Sequence, residues 1–266
     1  MPPEALAVGA TAAVLLGVPH GALDHRVARP WLAGRWGRLW FLAFTLPYLG
    51  LAVLVFAGWL VAPALSLLMF LAVSVLHFGL EDAEGKGVTA RLARGGAPVA
   101  LPILLHPDRT ARFFETLGGA EAAPGGMAWL VLFLGACLWV LIAALYALRL
   151  VRDREGRVLA EVGAIVAVFA ALPPLAAFAF YFLAVHSPRH MAELARRHEG
   201  GWTGAIRASL PLSAMTFAMG IAIYLLLPGT AETRFLQTTF WGLAALTIPH
   251  MILHGMDRRR GGGPVS

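Results

Sequence analysis

Nine histidines stand out in a chain of 266 residues: His20, His25, His77, His106, His186, His190, His198, His250 and His254. Two pairs sit at i, i+4, His186 with His190 and His250 with His254. On a helix that spacing puts both imidazoles of a pair on one face, where they can reach a single metal ion. Imidazoles without thiolate suit iron, copper, zinc or nickel, so the donors alone leave the metal open. Two other stretches share a form: His20-Gly21-Ala22-Leu23-Asp24 and His77-Phe78-Gly79-Leu80-Glu81-Asp82. Each holds a histidine, a nearby glycine and an acid four or five residues on. Ligating histidines usually give their second ring N–H to a carboxylate, which makes Asp24 a partner for His20 and Glu81 or Asp82 a partner for His77. The competing reading leaves these acids as interfacial partners of Arg26, Arg29 or Lys86. His25 and His250 either share the outer role or line an entrance.

Prolines and glycines bear on how such groups are held. Pro188 deprives the Ala184 carbonyl of its usual donor and should bend the helix between His186 and His190; Pro249 immediately precedes His250. Gly21 and Gly79 allow close helix packing. His106, before Pro107, and His198, within Arg196-Arg197-His198-Glu199, read as solvated or interfacial. There is no HExxH motif of a zinc protease and no HxxHH box. The only lysine, Lys86, lies in a charged loop, so no retinal Schiff base can form in mid-membrane. The single cysteine, Cys137, excludes an intrachain disulfide and reads as a buried, inert thiol.

The elements that must position these residues are membrane spans. The chain is 59% hydrophobic and only 14% charged, against roughly 25% charged in soluble domains. Disorder is excluded for the same reason. The formal charge of +6 comes from arginines that flank apolar segments, which points to bilayer orientation and not to nucleic acid. A span needs about 20 mostly apolar residues; candidates are 4–22, 39–61, 64–80, 97–106, 128–148, 159–172, 174–193, 208–227 and 235–254. The run 97–106 is short and holds Pro98 and Pro102. Met1-Pro2-Pro3-Glu4 lacks the basic start of a cleaved signal peptide. Following the chain from an outside N-terminus puts 18 basic residues on the cytoplasmic face and 3 on the other. The expectation is an all-α, polytopic transmembrane helix bundle of eight or nine helices, with the N-terminus outside and the C-terminus cytoplasmic. It forms one domain over 1–266, ending in a short basic, glycine-rich tail at 257–266. His20, His77, His186, His190, His250 and His254 then share the cytoplasmic ends of four spans, and ionisable residues inside a membrane mark function by default.

The order Pro19-His20-Gly21-Ala22-Leu23-Asp24-His25, then His77-Phe78-Gly79-Leu80-Glu81-Asp82, then His186-Ser187-Pro188-Arg189-His190, then Pro249-His250 resembles the Brp/Blh family. These are membrane-integral β-carotene 15,15′-dioxygenases of bacteria and archaea. The resemblance runs over essentially the whole chain. It implies an oxidoreductase that cleaves β-carotene, or a related carotenoid, with O2 into two retinals, which a microbial rhodopsin could receive. It also implies Fe(II) held by His20, His77, His186 and His190; catalytic groups beyond the metal site stay unknown. Phe78, Tyr181, Phe182 and Trp241 are candidates for the walls of a substrate cavity entered sideways from lipid, the setting being the cell inner membrane. A bis-histidine haem protein, which would show a Soret band, and a carotenoid or retinal carrier without turnover are the alternatives.

Overall fold

The computed structural model describes residues 21–83, 85–197 and 200–260. Among them there is no strand. Eleven α-helices, some joined by tighter or wider turns, make nine unbroken helical runs. Helix α1 (Asp24–Trp36) continues through a 3-10 turn into α2 (Trp40–Val61); then come α3 (Pro63–Asp82), α4 (Val88–Leu105), α5 (Pro107–Gly118), α6 (Met127–Arg152) and α7 (Gly156–Ala171). Helix α8 (Pro174–Tyr181), a π-helical turn (Phe182–His186) and α9 (Ser187–Arg197) run on without a break, followed by α10 (Gly201–Leu226) and α11 (Ala231–Arg259). Pro63, Pro107 and Pro174 each open a helix, where the missing N–H costs nothing. Thr230 caps α11 by accepting the Thr233 N–H at 3.1 Å.

Five stretches are long and apolar enough to cross a membrane: 24–61, 63–82, 88–105, 120–152 and 201–226. Their outer faces carry exposed Leu46, Val53, Leu141 and Leu225, a surface that only lipid or another protein could solvate cheaply. The expected span 4–22 lies outside the described residues. The short run expected at 97–106 starts earlier, at Val88. Arg94, which the apolar count had excluded, is paired with Glu161 of α7 at 2.5 Å, so its charge is met by a neighbouring helix. Helices 156–171 and 231–259 overlap the expected 159–172 and 235–254; the second carries buried His250, His254 and Asp257. Cys137 is exposed on α6, not buried: it lies on an outward apolar face, where its thiol is one more small apolar group.

The chain separates into two compact units. In the first, 61–182 in its described part, α3 and α4 touch backbone to backbone. A Cβ on Gly79 would stand 2.5 Å from the Arg91 carbonyl oxygen, and one on Gly95 would meet the Val75 oxygen and the Gly79 nitrogen. Gly79 therefore does what the sequence suggested, whereas nothing approaches Gly21 within 4 Å. Trp139 of α6 lies over Gly96 and donates its indole N–H to the Ala93 carbonyl at 3.0 Å. In the second unit, 21–60 and 183–260 as described, a core of Leu23, Val27, Phe44, Met191, Leu194 and Leu253 joins α1, α2, α9 and α11.

Candidate metal centre

The histidines of the second unit converge. His190 comes from α9 and His250 and His254 from α11, one turn apart after the helix-internal Pro249. All three are buried. Their ring centroids are 5.3 Å (His190–His250), 5.0 Å (His190–His254) and 4.3 Å (His250–His254) apart. One ligand atom from each lies within 4.8 Å of the others, so the three could hold one metal ion. The donor set fits a transition metal: neutral imidazoles are its commonest protein ligands.

A carboxylate stands behind two of these rings. Asp24, 1% exposed, opens α1 and accepts from His250 Nδ1 at 2.9 and 3.0 Å and from His254 Nε2 at 3.2 Å. Its Oδ2 also accepts the Tyr48 hydroxyl at 2.8 Å. Seven residues beyond His190, Arg197 bonds Asp257 of α11 at 2.7 Å. That bridge and the Met191–Leu194–Leu253 packing hold α9 against α11, and with them the three imidazoles.

Asp24 was expected to orient His20, which lies outside the described residues; among the described residues its imidazole partners are His250 and His254. His186, although fully buried, is not a member of the triad that contains His190. A π-helical turn spans Phe182–His186, beside the Pro188 that removes a helix donor, and its wider pitch changes the angle between successive side chains. His25 Nδ1 pairs with the Ala22 carbonyl at 2.9 Å and its ring meets Phe41 edge-on. His106 is half-buried and donates to the Phe169 carbonyl at 2.9 Å; His198 lies outside the described residues. Sequence reading left His254 without a role and passed over Tyr48. The His250/His254 spacing was the available signal for the first, and a lone tyrosine in an apolar run gives none for the second.

The first unit places His77 Nδ1 3.6 Å from Glu81, the i, i+4 pairing expected of them. Asp82 accepts the Tyr181 hydroxyl. The Tyr181 ring packs on Phe78 (5.4 Å, edge-on) and Phe169, while Phe178 stacks on Phe182 at 5.9 Å. In the second unit Trp241 stacks on Trp59 at 5.5 Å and meets Phe56 edge-on. Phe78, Tyr181, Phe182 and Trp241 are all buried.

Fold and site together define an all-helical protein with membrane-type spans and a buried histidine–carboxylate centre able to hold a metal ion. More narrowly, the chain belongs to the β-carotene 15,15′-dioxygenase family, whose sequence profile matches residues 11–257. It is 32% identical over 250 residues to the "Beta-carotene 15,15′-dioxygenase" of uncultured marine bacterium 66A03, an alignment covering 90% of this chain and 89% of that protein. It is 27% identical over 294 residues to the "Probable beta-carotene 15,15′-dioxygenase Blh" of Halobacterium salinarum (strain ATCC 700922 / JCM 11081 / NRC-1), covering 94% and 83%. No solved structure matches it significantly.

Proposed function

We propose that this protein cleaves the central 15,15′ double bond of β-carotene with O2 and a resident Fe(II), giving two molecules of retinal. The observation that carries the reading is the buried imidazole group around His190 in a chain of this family. Each carbon of the broken double bond takes one oxygen atom, so one hydrocarbon and one O2 balance two aldehydes. Bound iron supplies the redox chemistry that lets O2 react with a hydrocarbon. The chain's own residues do the rest. A polyene has no polar anchor, so binding must come from apolar contact in a fitted cavity, for which the buried rings of Phe78, Tyr181, Phe182 and Trp241 are the candidate walls. Burial of the histidines keeps water from the reacting centre.

His190 is the ligand on which two lines agree, the resemblance and the buried triad. The full set implied by the resemblance, His20, His77, His186 and His190, remains a proposal, as do outer roles for Asp24, Glu81, Asp82, His25 and His250. So do a multi-pass setting in the cell inner membrane with the N-terminus outside, lateral entry of substrate, and delivery of retinal to a rhodopsin. The test is expression in β-carotene-producing cells with pigment and retinal followed by chromatography. Retinal should accumulate as β-carotene disappears, and His190→Ala should stop it. Loss of colour without retinal, or no loss at all from a folded protein, refutes the proposal and favours a carrier.

A further inference from the structure

The arginines at one end of the second unit have no carboxylates to answer them. Gly37, at φ +51°, turns the chain between α1 and α2, and the two helices fold back on each other, His25 against Phe41 and Asp24 against Tyr48. The joint leaves Arg35, Trp36, Arg38 and Leu39 exposed. The end of α11 comes to α1 as well: the Arg260 guanidinium lies 4.9 Å over the Trp31 ring, and Arg258 and Arg259 beside it are exposed. Arg29, also exposed, has its guanidinium 5.9 Å from the Trp40 ring. The acids close to them in sequence are engaged elsewhere. Asp24 is buried among Tyr48, His250 and His254, and Asp257 pairs with Arg197. Among the described residues no carboxylate pairs with Arg29, Arg35, Arg38, Arg258, Arg259 or Arg260.

Gathered like charges repel one another, and their neighbours indicate what offsets them. From Leu39 onward α2 exposes Phe41, Leu42, Leu46 and Leu49, the outer face of a stretch apolar enough to cross a membrane. The arginines therefore stand at the edge of a lipid-facing surface. Trp36, 50% exposed, and Trp40 stand there with them, and tryptophan settles at headgroup level. A guanidinium fork matches two phosphate oxygens at once, and two of these forks are steadied over indole rings. We propose that this end of the second unit binds the headgroups of anionic phospholipids, with the turn between α1 and α2 held at headgroup depth. A zwitterionic headgroup also offers a phosphate, but its own ammonium cancels the field that six arginines would answer. Basic clusters beside a span recognise anionic lipid on this principle. The surface goes beyond the cleavage reading and does not depend on it.

The experiment places the full chain in nanodiscs of phosphatidylcholine with a minor share of phosphatidylglycerol, one lipid at a time carrying bromine on its acyl chains near the headgroup. At equal mole fraction, brominated phosphatidylglycerol should quench the tryptophan fluorescence of the wild type more than brominated phosphatidylcholine does. Each arginine favours an anionic surface about fivefold, so phosphatidylglycerol should be enriched several-fold beside the patch. Rising salt should remove the excess. Replacing all six arginines with glutamine should abolish it, and a thermal melt checks that the variant is folded. Trp36→Phe should shrink the excess, because that ring reports from the turn. Arg109→Gln with Arg112→Gln, two exposed arginines of α5, is the control and should keep it. If the sixfold variant fails to fold, the pairs Arg35→Gln with Arg38→Gln and Arg258→Gln with Arg259→Gln should each lower the excess more than the control does. Equal quenching by the two lipids in the wild type overturns the proposal and leaves the patch to an acidic protein. An undiminished excess in the folded arginine variants, or an equal loss in the control, overturns it too.

Discussion

Replacing Gly95 with alanine tests whether the seam between α3 and α4 is as tight as the geometry says. The added Cβ would collide with the Val75 carbonyl oxygen and with the Gly79 nitrogen and Cα. All three are backbone atoms, so no side chain can rotate away and the helices must part. Overpacking of this kind costs about 1–3 kcal/mol, and a backbone collision belongs at the upper end. Alanine recovers about 1 kcal/mol of helix propensity, leaving a net loss of about 2 kcal/mol. At about 2–4 °C per kcal/mol for a chain of this size, the midpoint should fall by about 4–8 °C in a thermal melt of the detergent-solubilised protein. Gly163→Ala is the control: it is also within a helix, but nothing approaches its Cβ position within 4 Å, so only the propensity gain remains. Gly79→Ala should also destabilise, and its effect should not add to that of Gly95→Ala, because the two share one seam. A Gly95→Ala protein that melts at or above the wild type, or a Gly163→Ala protein that falls just as far, refutes the reasoning.

Three further outcomes follow from other contacts. Tyr181→Phe removes the hydroxyl that the half-buried Asp82 accepts and should cost about 1–2 kcal/mol, the worth of one hydrogen bond to a carboxylate, read in the same melt. Arg94→Gln should cost about 1–3 kcal/mol, less than for a fully buried pair because Glu161 is a third exposed; equal melting of Arg94→Gln and wild type would show that the pair does not carry α4. Trp241→Ala empties the stack on Trp59 and Phe56 and should cost about 3–5 kcal/mol. It should also alter which carotenoid lengths are cleaved while metal content holds, and unchanged product ratios would remove Trp241 from the cavity wall.

What the sequence made legible was local, and what it hid was not. An i, i+4 pair on an unbroken helix is readable, and His250 with His254 and His77 with Glu81 stand where that spacing puts them. The same rule pairs Asp24 with His20 but says nothing of His250 and His254, the imidazoles among the described residues that it meets, which lie 226 and 230 residues away. No periodicity reports a contact of that kind. His186 and His190 looked equivalent to the other pair, but a π-helical turn runs from Phe182 to His186 beside the proline that removes a helix donor, and His186 is not part of the group that His190 forms with His250 and His254. Arg91 and Arg94 made the start of α4 look like a loop, because counting charges cannot see that Glu161 of α7 will meet one of them. These failures share a cause that bears on the chemistry. An apolar span costs nothing to place in lipid, and composition therefore reveals it. A buried carboxylate or imidazole is tolerable only with a partner brought by another helix. The polar groups least predictable from spacing are thus those whose positions the whole fold must fix, and Asp24 with Tyr48 behind it is the clearest instance in this chain.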